Sequence, residues 1–156
     1  MAIRLTIVDD HLSFREGLRR VLEGEPDLEL VGEANDAAQG HEQARELKPD
    51  VVLMDIHTPG MSSLEAARLI AQDAPDTRLV LLTSEEDEEY LLRCLEAGAA
   101  GYLLKNSPAA KLLSAVREVY HGRKYVSPQV LGKLVDDFRA REIGRASCRE
   151  RVFITV

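Results

Sequence analysis

The sequence predicts an α/β fold, a (βα)5 doubly wound parallel sheet with strand order 2-1-3-4-5. Five short apolar runs alternate with five segments whose apolar residues recur at helical spacing. This alternation is typical of parallel strands joined by right-handed helical crossovers. The third and fourth runs are almost continuously apolar, as expected of strands buried on both faces. Apolar residues make up 45% of the 156-residue chain, enough to fill the core of one such domain.

The expected elements follow in regular order over residues 1–123. The apolar runs predict strands at Ile3–Val8, Leu28–Ala34, Asp50–Asp55, Arg78–Ser84 and Gly101–Lys105. The first, third and fifth helices are indicated by apolar faces that contain Phe14, Leu18, Val21 and Leu22, then Leu64, Ala67, Ile70, Ala71 and Ala74, and finally Leu112, Leu113, Val116, Val119 and Tyr120. Gly98 is expected to follow the fourth helix, and Ser107 and Pro108 to begin the fifth as N-cap and first helical residue.

Composition argues against several classes of function. The formal net charge of −7 disfavours a bare nucleic-acid-binding surface, because phosphate backbones select basic proteins. No apolar run approaches the roughly 20 residues of a membrane span, and the N-terminus lacks the pattern of a secretion signal. The two cysteines, Cys94 and Cys148, have no metal-ligand spacing, so we expect a reduced, cytoplasmic protein in which Cys94 is a small core residue.

Polar side chains stand at the carboxyl ends of four predicted strands. Asp9 and Asp10 follow the first strand, Asp55 ends the third, Thr83 lies at the end of the fourth, and Lys105 ends the fifth. In an open parallel sheet these ends meet at one edge, where ligands bind. Three carboxylates in one crevice need a cation, and oxygen ligands of this kind suit Mg²⁺. The sequence therefore predicts a magnesium site beside a hydroxyl and an ammonium group.

This set of groups suits phosphoryl transfer. Asp55 would be an in-line nucleophile that forms an aspartyl phosphate, while Lys105 and Thr83 contact the phosphoryl oxygens. Taken singly, each residue has a simpler interpretation. Asp10 could merely cap a helix that begins near Leu12, and Lys105 could be a solvated surface lysine. Because four successive strand ends carry such groups, the joint interpretation is the better one.

Four motifs occur in a fixed order along the chain. They are VDDH at Val8–His11, DVVLMDIHTPGM at Asp50–Met61, LLTS at Leu81–Ser84 and EAGAAGYLLKNSP at Glu96–Pro108. With this spacing they resemble the receiver domain of bacterial two-component response regulators, of the NarL/FixJ type, over residues 3 to about 125. The resemblance implies the flavodoxin-like, CheY-like form of the predicted fold.

The resemblance also implies roles for individual site residues. Asp55 would accept a phosphoryl group from the phosphohistidine of a sensor histidine kinase. Asp10 would ligate Mg²⁺ directly and Asp9 largely through water, and the backbone carbonyl of His57 would be a further ligand. The domain would catalyse only its own phosphotransfer and dephosphorylation, so it is expected to be a signalling phosphoprotein rather than an enzyme.

Phosphorylation would switch the domain between two conformations. The resemblance implies that Thr83 is the switch hydroxyl and that Tyr102 is the aromatic switch residue of the fifth strand. The active form would expose a surface for a homodimer or another partner. DNA would be bound only through a helix-turn-helix output domain that this chain lacks, and the parent protein would be a transcription regulator.

Departures from the family pattern lie in the loop after Asp55. Thr58 stands where Met or Leu is usual, and Ser62 and Ser63 stand where Asp-Gly is usual. Ser62 with Glu65 can still cap the third helix, but the loss of glycine at position 63 matters if that backbone needs a positive φ. These substitutions alter the loop beside Asp55, but none of them removes a proposed ligand side chain.

Three alternative functions stay open. The domain could be a phosphorylation-independent dimerisation module, which the altered loop would permit. It could be a haloacid-dehalogenase-like phosphatase with Asp55 as nucleophile, although DIHTP has His57 where D-x-D-x-T requires a second Asp and lies on the third strand. It could be a flavodoxin-like FMN binder, although no Gly/Ser/Thr-rich loop follows the first strand.

A linker helix is predicted over residues 124–141. Ser127 and Pro128 form a helix start, and apolar residues follow at helical spacing at Leu131, Leu134, Val135 and Phe138. The segment resembles a linker or dimerisation helix, and a helix docked on the domain is an equally good interpretation.

Residues 142–156 are predicted to be a non-native tail. Glu142–Val152, EIGRASCRERV, is identical at all eleven positions to the translation of a common sequencing adapter. Alternatively SCRERV begins a DNA-binding domain, because it loosely resembles the opening of LuxR-type helix-turn-helix domains. The adapter match is longer, so we expect the natural sequence to depart from this one after about residue 141, and Cys148 to have no functional meaning.

Overall fold

The computed structural model describes residues 2–84 and 87–126, together with Gly132 and the backbone of Phe153–Thr155. Its strands are β1 (Ile3–Val8), β2 (Leu28–Ala34), β3 (Val51–Asp55), β4 (Arg78–Thr83), β5 (Gly101–Leu104), β6 (Lys124–Val126) and β7 (Phe153–Thr155). Its helices are α1 (Leu12–Glu23), α2 (Ala37–Leu47), α3 (Ser63–Asp73), α4 (Glu88–Glu96) and α5 (Ala109–Tyr120).

The strands form one sheet in the order β2-β1-β3-β4-β5-β6-β7, and neighbouring strands are parallel. The predicted doubly wound α/β fold and the predicted order 2-1-3-4-5 are confirmed, and β6 and β7 continue the sheet beyond β5. This order places β1 and β3 side by side within the sheet, with β4 next to β3. Their carboxyl ends therefore meet at one edge.

The helices cover both faces of the sheet. In β3, Val51 and Leu53 belong to an apolar cluster that contains residues of α1 and α5, whereas Val52 and Met54 belong to a cluster that contains residues of α2, α3 and α4. All four side chains are completely buried. Successive side chains of a strand point to opposite faces, so a strand covered on both sides must be apolar throughout. This explains the continuous apolar run.

Side chains cap three of the helices. At the beginning of α2, α3 and α4, a backbone N–H donates to the side chain of Asp36, Ser62 and Asp87 respectively. Ser62 Oγ accepts from Glu65 N at 3.1 Å, which confirms the predicted cap. Ser63 is the first residue of α3, and Lys48 is the one non-glycine residue with a positive φ in the described part of the chain. The absence of glycine at position 63 therefore causes no backbone strain.

Two predicted boundaries at the end of the domain are wrong. The N-cap of α5 is Pro108 rather than Ser107, because Pro108 O accepts the first helical hydrogen bonds, from Lys111 N at 3.0 Å and Leu112 N at 3.3 Å. Residues 124–126, predicted as the beginning of a linker helix, form β6 instead. Tyr125 and Val126 are buried, and Tyr125 N donates to Ala100 O at 3.0 Å, so this segment covers the edge of β5. The sheet thus continues past the predicted domain boundary at residue 123.

The remainder of the predicted linker helix lies outside the described residues, apart from Gly132, which is helical. The predicted tail, including Cys148, also lies outside them, apart from the backbone of β7. Within the described residues, no helix combines the length and the apolar character needed to cross a membrane. Cys94 of α4 is completely buried in the apolar cluster that α4 shares with α2 and α3, and burial raises the pKa of its thiol to about 11. It is a core residue, as predicted.

A chain of hydrogen bonds joins α4 to the beginning of α3. The Tyr90 hydroxyl accepts from Leu64 N at 3.1 Å and lies 2.8 Å from Ser63 Oγ, which donates to Ile56 O at 3.3 Å. Ser63 is completely buried, so water cannot replace these partners at low cost. Ser63 is also one of the residues that depart from the family pattern, and it provides a contact to α4 that glycine could not make.

Tyr90→Phe is expected to lower the free energy of unfolding by about 1.5 kcal/mol, since it removes two hydrogen bonds and leaves Leu64 N without an acceptor. Urea denaturation of the variant and the wild type measures this difference. Tyr120→Phe is the control, because Tyr120 is exposed on α5 and its change should be close to neutral. Equal changes in the free energy of unfolding of the two variants would mean that the hydrogen bonds of the Tyr90 hydroxyl do not stabilise the domain.

Candidate functional site

The strand register brings the predicted site residues to one edge of the sheet. Asp55 is the last residue of β3 and is paired with Leu82, one residue before the end of β4 at Thr83. Thr83 is paired with Leu104, and Lys105 directly follows β5. Asp9 directly follows β1. Four strand ends thus place a carboxylate, a second carboxylate, a hydroxyl and an ammonium group along one edge, as the sequence predicts.

Asp9 is completely buried behind this edge. Its Oδ1 accepts a hydrogen bond from His11 N at 2.8 Å. Its Oδ2 lies 2.8 Å from Lys105 Nζ, yet among the described residues that oxygen accepts no hydrogen bond of regular geometry. The contact with Lys105 is therefore an ion pair with a poorly directed N–H, and Asp9 Oδ2 is a buried anionic oxygen with unused capacity to bind a cation.

Asp55 is also buried, and its two oxygens have different surroundings. Oδ1 accepts from His57 N at 3.0 Å, which fixes the orientation of the carboxylate. Oδ2 lies 3.3 Å from Lys105 Nζ. The side chain of His57 is exposed, so its backbone rather than its imidazole contacts the carboxylate. One oxygen of Asp55 is thus held by the backbone, and the other faces the cationic group.

Lys105 connects the two buried carboxylates. Its side chain is 17% exposed, and its Nζ lies 4.5 Å from the ring centroid of Phe14 on α1. Burial by itself lowers the pKa of Lys105, but the close contacts with the carboxylates of Asp9 and Asp55 outweigh that effect, and the net pKa is raised. Lys105 is therefore firmly protonated, and its backbone N donates to Thr83 O at 2.7 Å.

Asp10 and His11 complete the cluster on its solvent side. The Asp10 side chain is 38% exposed, and His11 Nδ1 lies 3.2 Å from Asp10 Oδ1 and 3.0 Å from Asp9 Oδ1. Asp9, Asp10, His11 and Asp55 each offer a ligand atom within 4.8 Å of the others. The N-cap of α1 is His11. The simpler interpretation of Asp10 as a helix cap is therefore wrong, and its carboxylate is available to a ligand.

The donor set fits a divalent cation. Three carboxylates share the cluster with one ammonium group, so negative charge is left uncompensated at the edge of the sheet. Hard oxygen ligands together with access to water suit Mg²⁺, which keeps several waters when it binds to proteins. Asp9 Oδ2 is buried and lies 2.8 Å from Lys105 Nζ, so a bound cation would share this oxygen with Lys105.

Thr83 and Tyr102 lie within the sheet rather than in the cluster itself. Thr83 is completely buried at the end of β4. Tyr102 on β5 is also buried, and it belongs to the apolar cluster that includes Leu91 and Leu95 of α4. The ring of Tyr102 is therefore in a position to couple the sheet to α4.

Two residues of this site are not predicted by the sequence. It gives no role to His11, and it predicts Phe14 only as part of an apolar helix face. The signal for His11 was the spacing Asp-x-His, because an Asp side chain often accepts from the backbone N–H two residues on and so folds the chain back over itself. No comparable signal identifies Phe14, because its contact with Lys105 depends on how α1 packs beside β5.

Known proteins are similar to most of this chain. The family model described as the response regulator receiver domain matches residues 5–117. Response regulator GacA of Pseudomonas viridiflava is 42% identical over 132 residues, which are 85% of this chain and 62% of that protein. Transcriptional regulatory protein DegU of Brevibacillus brevis is 39% identical over 137 residues, 88% of this chain and 58% of that protein. The chain thus spans about 60% of the length of these relatives.

A solved structure is similar over nearly its whole length. The crystal structure of a LuxR-family two-component response regulator from an Aurantimonas species superposes with a TM-score of 0.78 at 35% identity. The match covers 89% of this chain and 99% of that one. These findings favour neither the phosphatase nor the FMN-binding alternative.

Proposed function

The chain belongs to the response regulator receiver family, of the NarL/LuxR type, and on this premise we propose that Asp55 accepts a phosphoryl group. The observation that carries the proposal is that Lys105 Nζ contacts the buried carboxylates of both Asp9 and Asp55. A cation fixed between a candidate nucleophile and a candidate metal ligand serves phosphoryl transfer, where charge on the transferred oxygens must be compensated.

The nucleophile would be Asp55 Oδ2. His57 N holds Asp55 Oδ1 at 3.0 Å, whereas Oδ2 lies 3.3 Å from Lys105 Nζ, the group that would also bind the transferred phosphoryl oxygens. This oxygen forms the new bond to phosphorus as the bond to the donor, a phosphohistidine nitrogen or the leaving oxygen of a small phosphodonor, breaks. The product is an aspartyl phosphate, and the freed donor group leaves on the opposite side of phosphorus.

The surrounding side chains compensate the charge of the phosphoryl oxygens. Lys105 donates to one of them and the Thr83 hydroxyl to another. Asp9, Asp10 and Asp55, with the backbone carbonyl of His57, would hold Mg²⁺, which supplies further positive charge to the transferred group. The domain catalyses only its own phosphotransfer and dephosphorylation.

Phosphorylation then shifts an equilibrium between two conformations. Movement of Thr83 toward the phosphoryl oxygen would open space beneath Tyr102, whose ring packs in the cluster shared with α4. The altered surface of α4 and β5 would bind a second copy. We propose a sensor histidine kinase as the phosphodonor, the cytoplasm as the compartment, and transcription control through a helix-turn-helix domain of a longer parent protein as the output.

A mass measurement tests the phosphoacceptor role. The full chain is incubated with Mg²⁺ and acetyl phosphate, and its intact mass is followed. One phosphoryl adduct per chain is expected in the wild type and in Asp76→Asn, which changes an exposed carboxylate. No adduct is expected in Asp55→Asn or when the divalent cation is removed with EDTA.

Absence of an adduct from the folded wild type would contradict the proposal. It would favour the phosphorylation-independent dimerisation module and direct attention to the loop that contains Thr58, whose Oγ1 is buried without a hydrogen-bond partner among the described residues. An adduct that persists in Asp55→Asn would mean that another residue is the acceptor.

A further inference from the structure

We propose that Arg15 is a positioning residue of the phosphoacceptor site, which fixes the peptide between Asp9 and Asp10 and so sets where the Asp10 carboxylate lies. The inference rests on the proposed function, because it concerns how the same reaction is supported. Arg15 is assigned no contact with the phosphoryl group or with the cation. It acts through the backbone that joins the two aspartates.

The guanidinium group of Arg15 joins the ends of two neighbouring strands. Arg15 lies in the first turn of α1, and its side chain is 13% exposed. Its Nη1 donates to Asp9 O, directly after β1, at 2.5 Å and to Asn35 Oδ1, directly after β2, at 2.6 Å. Its Nε lies 3.2 Å from Glu33 Oε1, although without hydrogen-bond geometry. A planar group with several fixed donors suits such a bridge.

The carbonyl group of Asp9 belongs to the peptide that leads into Asp10. Because a peptide is planar, the donor that holds Asp9 O also sets the direction of the Asp10 N–H and the position of its Cα. On the other side of the residue, Asp9 N donates to Ala34 O at 3.0 Å. The Asp10 side chain is 38% exposed, and its described contact is with His11 Nδ1 at 3.2 Å. The position of the Asp10 carboxylate therefore depends on the peptide that Arg15 holds.

Removal of Arg15 has two opposite effects on the affinity of the site for Mg²⁺. The positive charge of Arg15 lies beside the carboxylates and repels a divalent cation, so loss of this charge alone would strengthen binding. Loss of the hydrogen bond to Asp9 O releases the peptide that orients Asp10, and loss of groups that orient ligands typically weakens metal binding by about 10–100-fold. The sign of the change therefore separates positioning from a purely electrostatic effect.

Arg19 provides the matched control. It lies one turn further along α1, and its guanidinium group pairs with the carboxylate of the same Glu33. Within the described part of the chain it forms no hydrogen bond or ion pair with Asp9 or Asp10. Methionine at either position keeps an unbranched apolar stem and removes every donor. A comparison of Arg15→Met with Arg19→Met thus separates the hold on Asp9 O from the ion pair with Glu33.

The test titrates the ¹⁵N-labelled full chain with Mg²⁺ and follows the backbone amide signals by NMR, which also report whether each variant is folded. Arg15→Met is expected to weaken Mg²⁺ binding by on the order of tenfold, and Arg19→Met to leave it unchanged. During phosphorylation by acetyl phosphate, the Mg²⁺ concentration that gives half the maximal rate should rise by the same factor in Arg15→Met. A merely structural role would lower stability without moving this concentration.

Three results would overturn the inference. Tighter Mg²⁺ binding by Arg15→Met would mean that only the charge of Arg15 matters. Equal weakening in Arg15→Met and Arg19→Met would assign the effect to the ion pair with Glu33, and unchanged affinity in Arg15→Met would leave Arg15 without a role in the site.

A measurement on the unmodified chain does not depend on whether Arg15→Met folds. The guanidinium Nε–H signal of Arg15 is expected to shift when Mg²⁺ binds, because the peptide that Arg15 holds leads into a ligand, whereas the Nε–H signal of Arg19 should stay in place. An Arg15 signal that does not respond to Mg²⁺ would contradict the proposed coupling.

The outcome for Arg15 is separable from that for the proposed function. An Asp55 adduct in the wild type, together with Mg²⁺ affinity that Arg15→Met does not change, would overturn the role of Arg15 and leave the phosphoacceptor role standing. Weaker Mg²⁺ binding in Arg15→Met, without any adduct in the wild type, would overturn the phosphoacceptor role and support the positioning role of Arg15.

Discussion

Replacing Lys105 with alanine is expected to lower the free energy of unfolding by about 3 kcal/mol in buffer without divalent cations. The ammonium group lies 2.8 Å from Asp9 Oδ2 and 3.3 Å from Asp55 Oδ2, and both carboxylates are buried. Removing one member of such an ion pair leaves buried charge without compensation, and here two carboxylates lose their cation at once. The contact of Lys105 with the ring of Phe14 is lost as well.

Mg²⁺ should partly restore the stability of Lys105→Ala. A cation that binds the folded state stabilises it in proportion to the logarithm of ligand concentration over Kd. Lys105 occupies the same carboxylates as the proposed ion, so its removal should increase the stabilisation that Mg²⁺ confers. Urea denaturation with and without Mg²⁺ measures both effects.

Lys111→Ala is the matched control for this prediction, because Lys111 is an exposed lysine on α5. It should change stability by less than about 0.5 kcal/mol in either buffer. If Lys105→Ala were as stable as Lys111→Ala without divalent cations, the buried carboxylates would not depend on Lys105, and the electrostatic description of the site would be wrong.

Gly101→Ala is expected to destabilise the domain by about 2 kcal/mol by separating β6 from β5. A Cβ atom at Gly101 would lie 2.4 Å from Tyr125 O and 3.0 Å from both Tyr125 N and Tyr125 Cβ. Two of these three atoms are backbone, so a side-chain rotation cannot relieve the contact and the strand itself must move. Because β5 leads directly into Lys105, the displacement should also slow phosphoryl acceptance.

Urea denaturation and hydrogen exchange measure this effect, with faster exchange expected at the Tyr125 amide, which donates to Ala100 O in the wild type. Gly17→Ala is the control, because a Cβ atom there has no neighbour within 4 Å other than the backbone of its own helix α1. Alanine at a helical position should stabilise by up to about 1 kcal/mol. Unchanged exchange at Tyr125 in Gly101→Ala would contradict the predicted close packing of β6.

The sequence was sufficient for the features that depend on local pattern. Buried parallel strands have continuous apolar runs, so β3 and β4 were predictable, and the positions of Asp9 and Asp55 at the ends of their strands followed from the topology rule for open sheets. Lys105 was placed correctly for the same reason. In each case one strand and its final residue carried enough information.

The features that the sequence did not reveal depend on contacts between distant segments. β6 is a three-residue strand that pairs with the edge of β5, and three residues are too few to show a strand pattern in the sequence, which assigned them to the linker segment. The hydrogen bond between Tyr90 and Ser63 spans two helices. The imidazole of His11 reaches the carboxylates because the chain turns between β1 and α1.

The most direct test of the phosphoacceptor role is to map the modified residue. The full chain is phosphorylated with acetyl phosphate in Mg²⁺ and treated with borohydride, which reduces an aspartyl phosphate to homoserine, and its peptides are then sequenced by mass spectrometry. We expect homoserine at position 55, with Asp9 and Asp10 unchanged. Homoserine at position 9 or 10, or a folded protein with unmodified Asp55, would contradict the assignment of Asp55 as the phosphoacceptor.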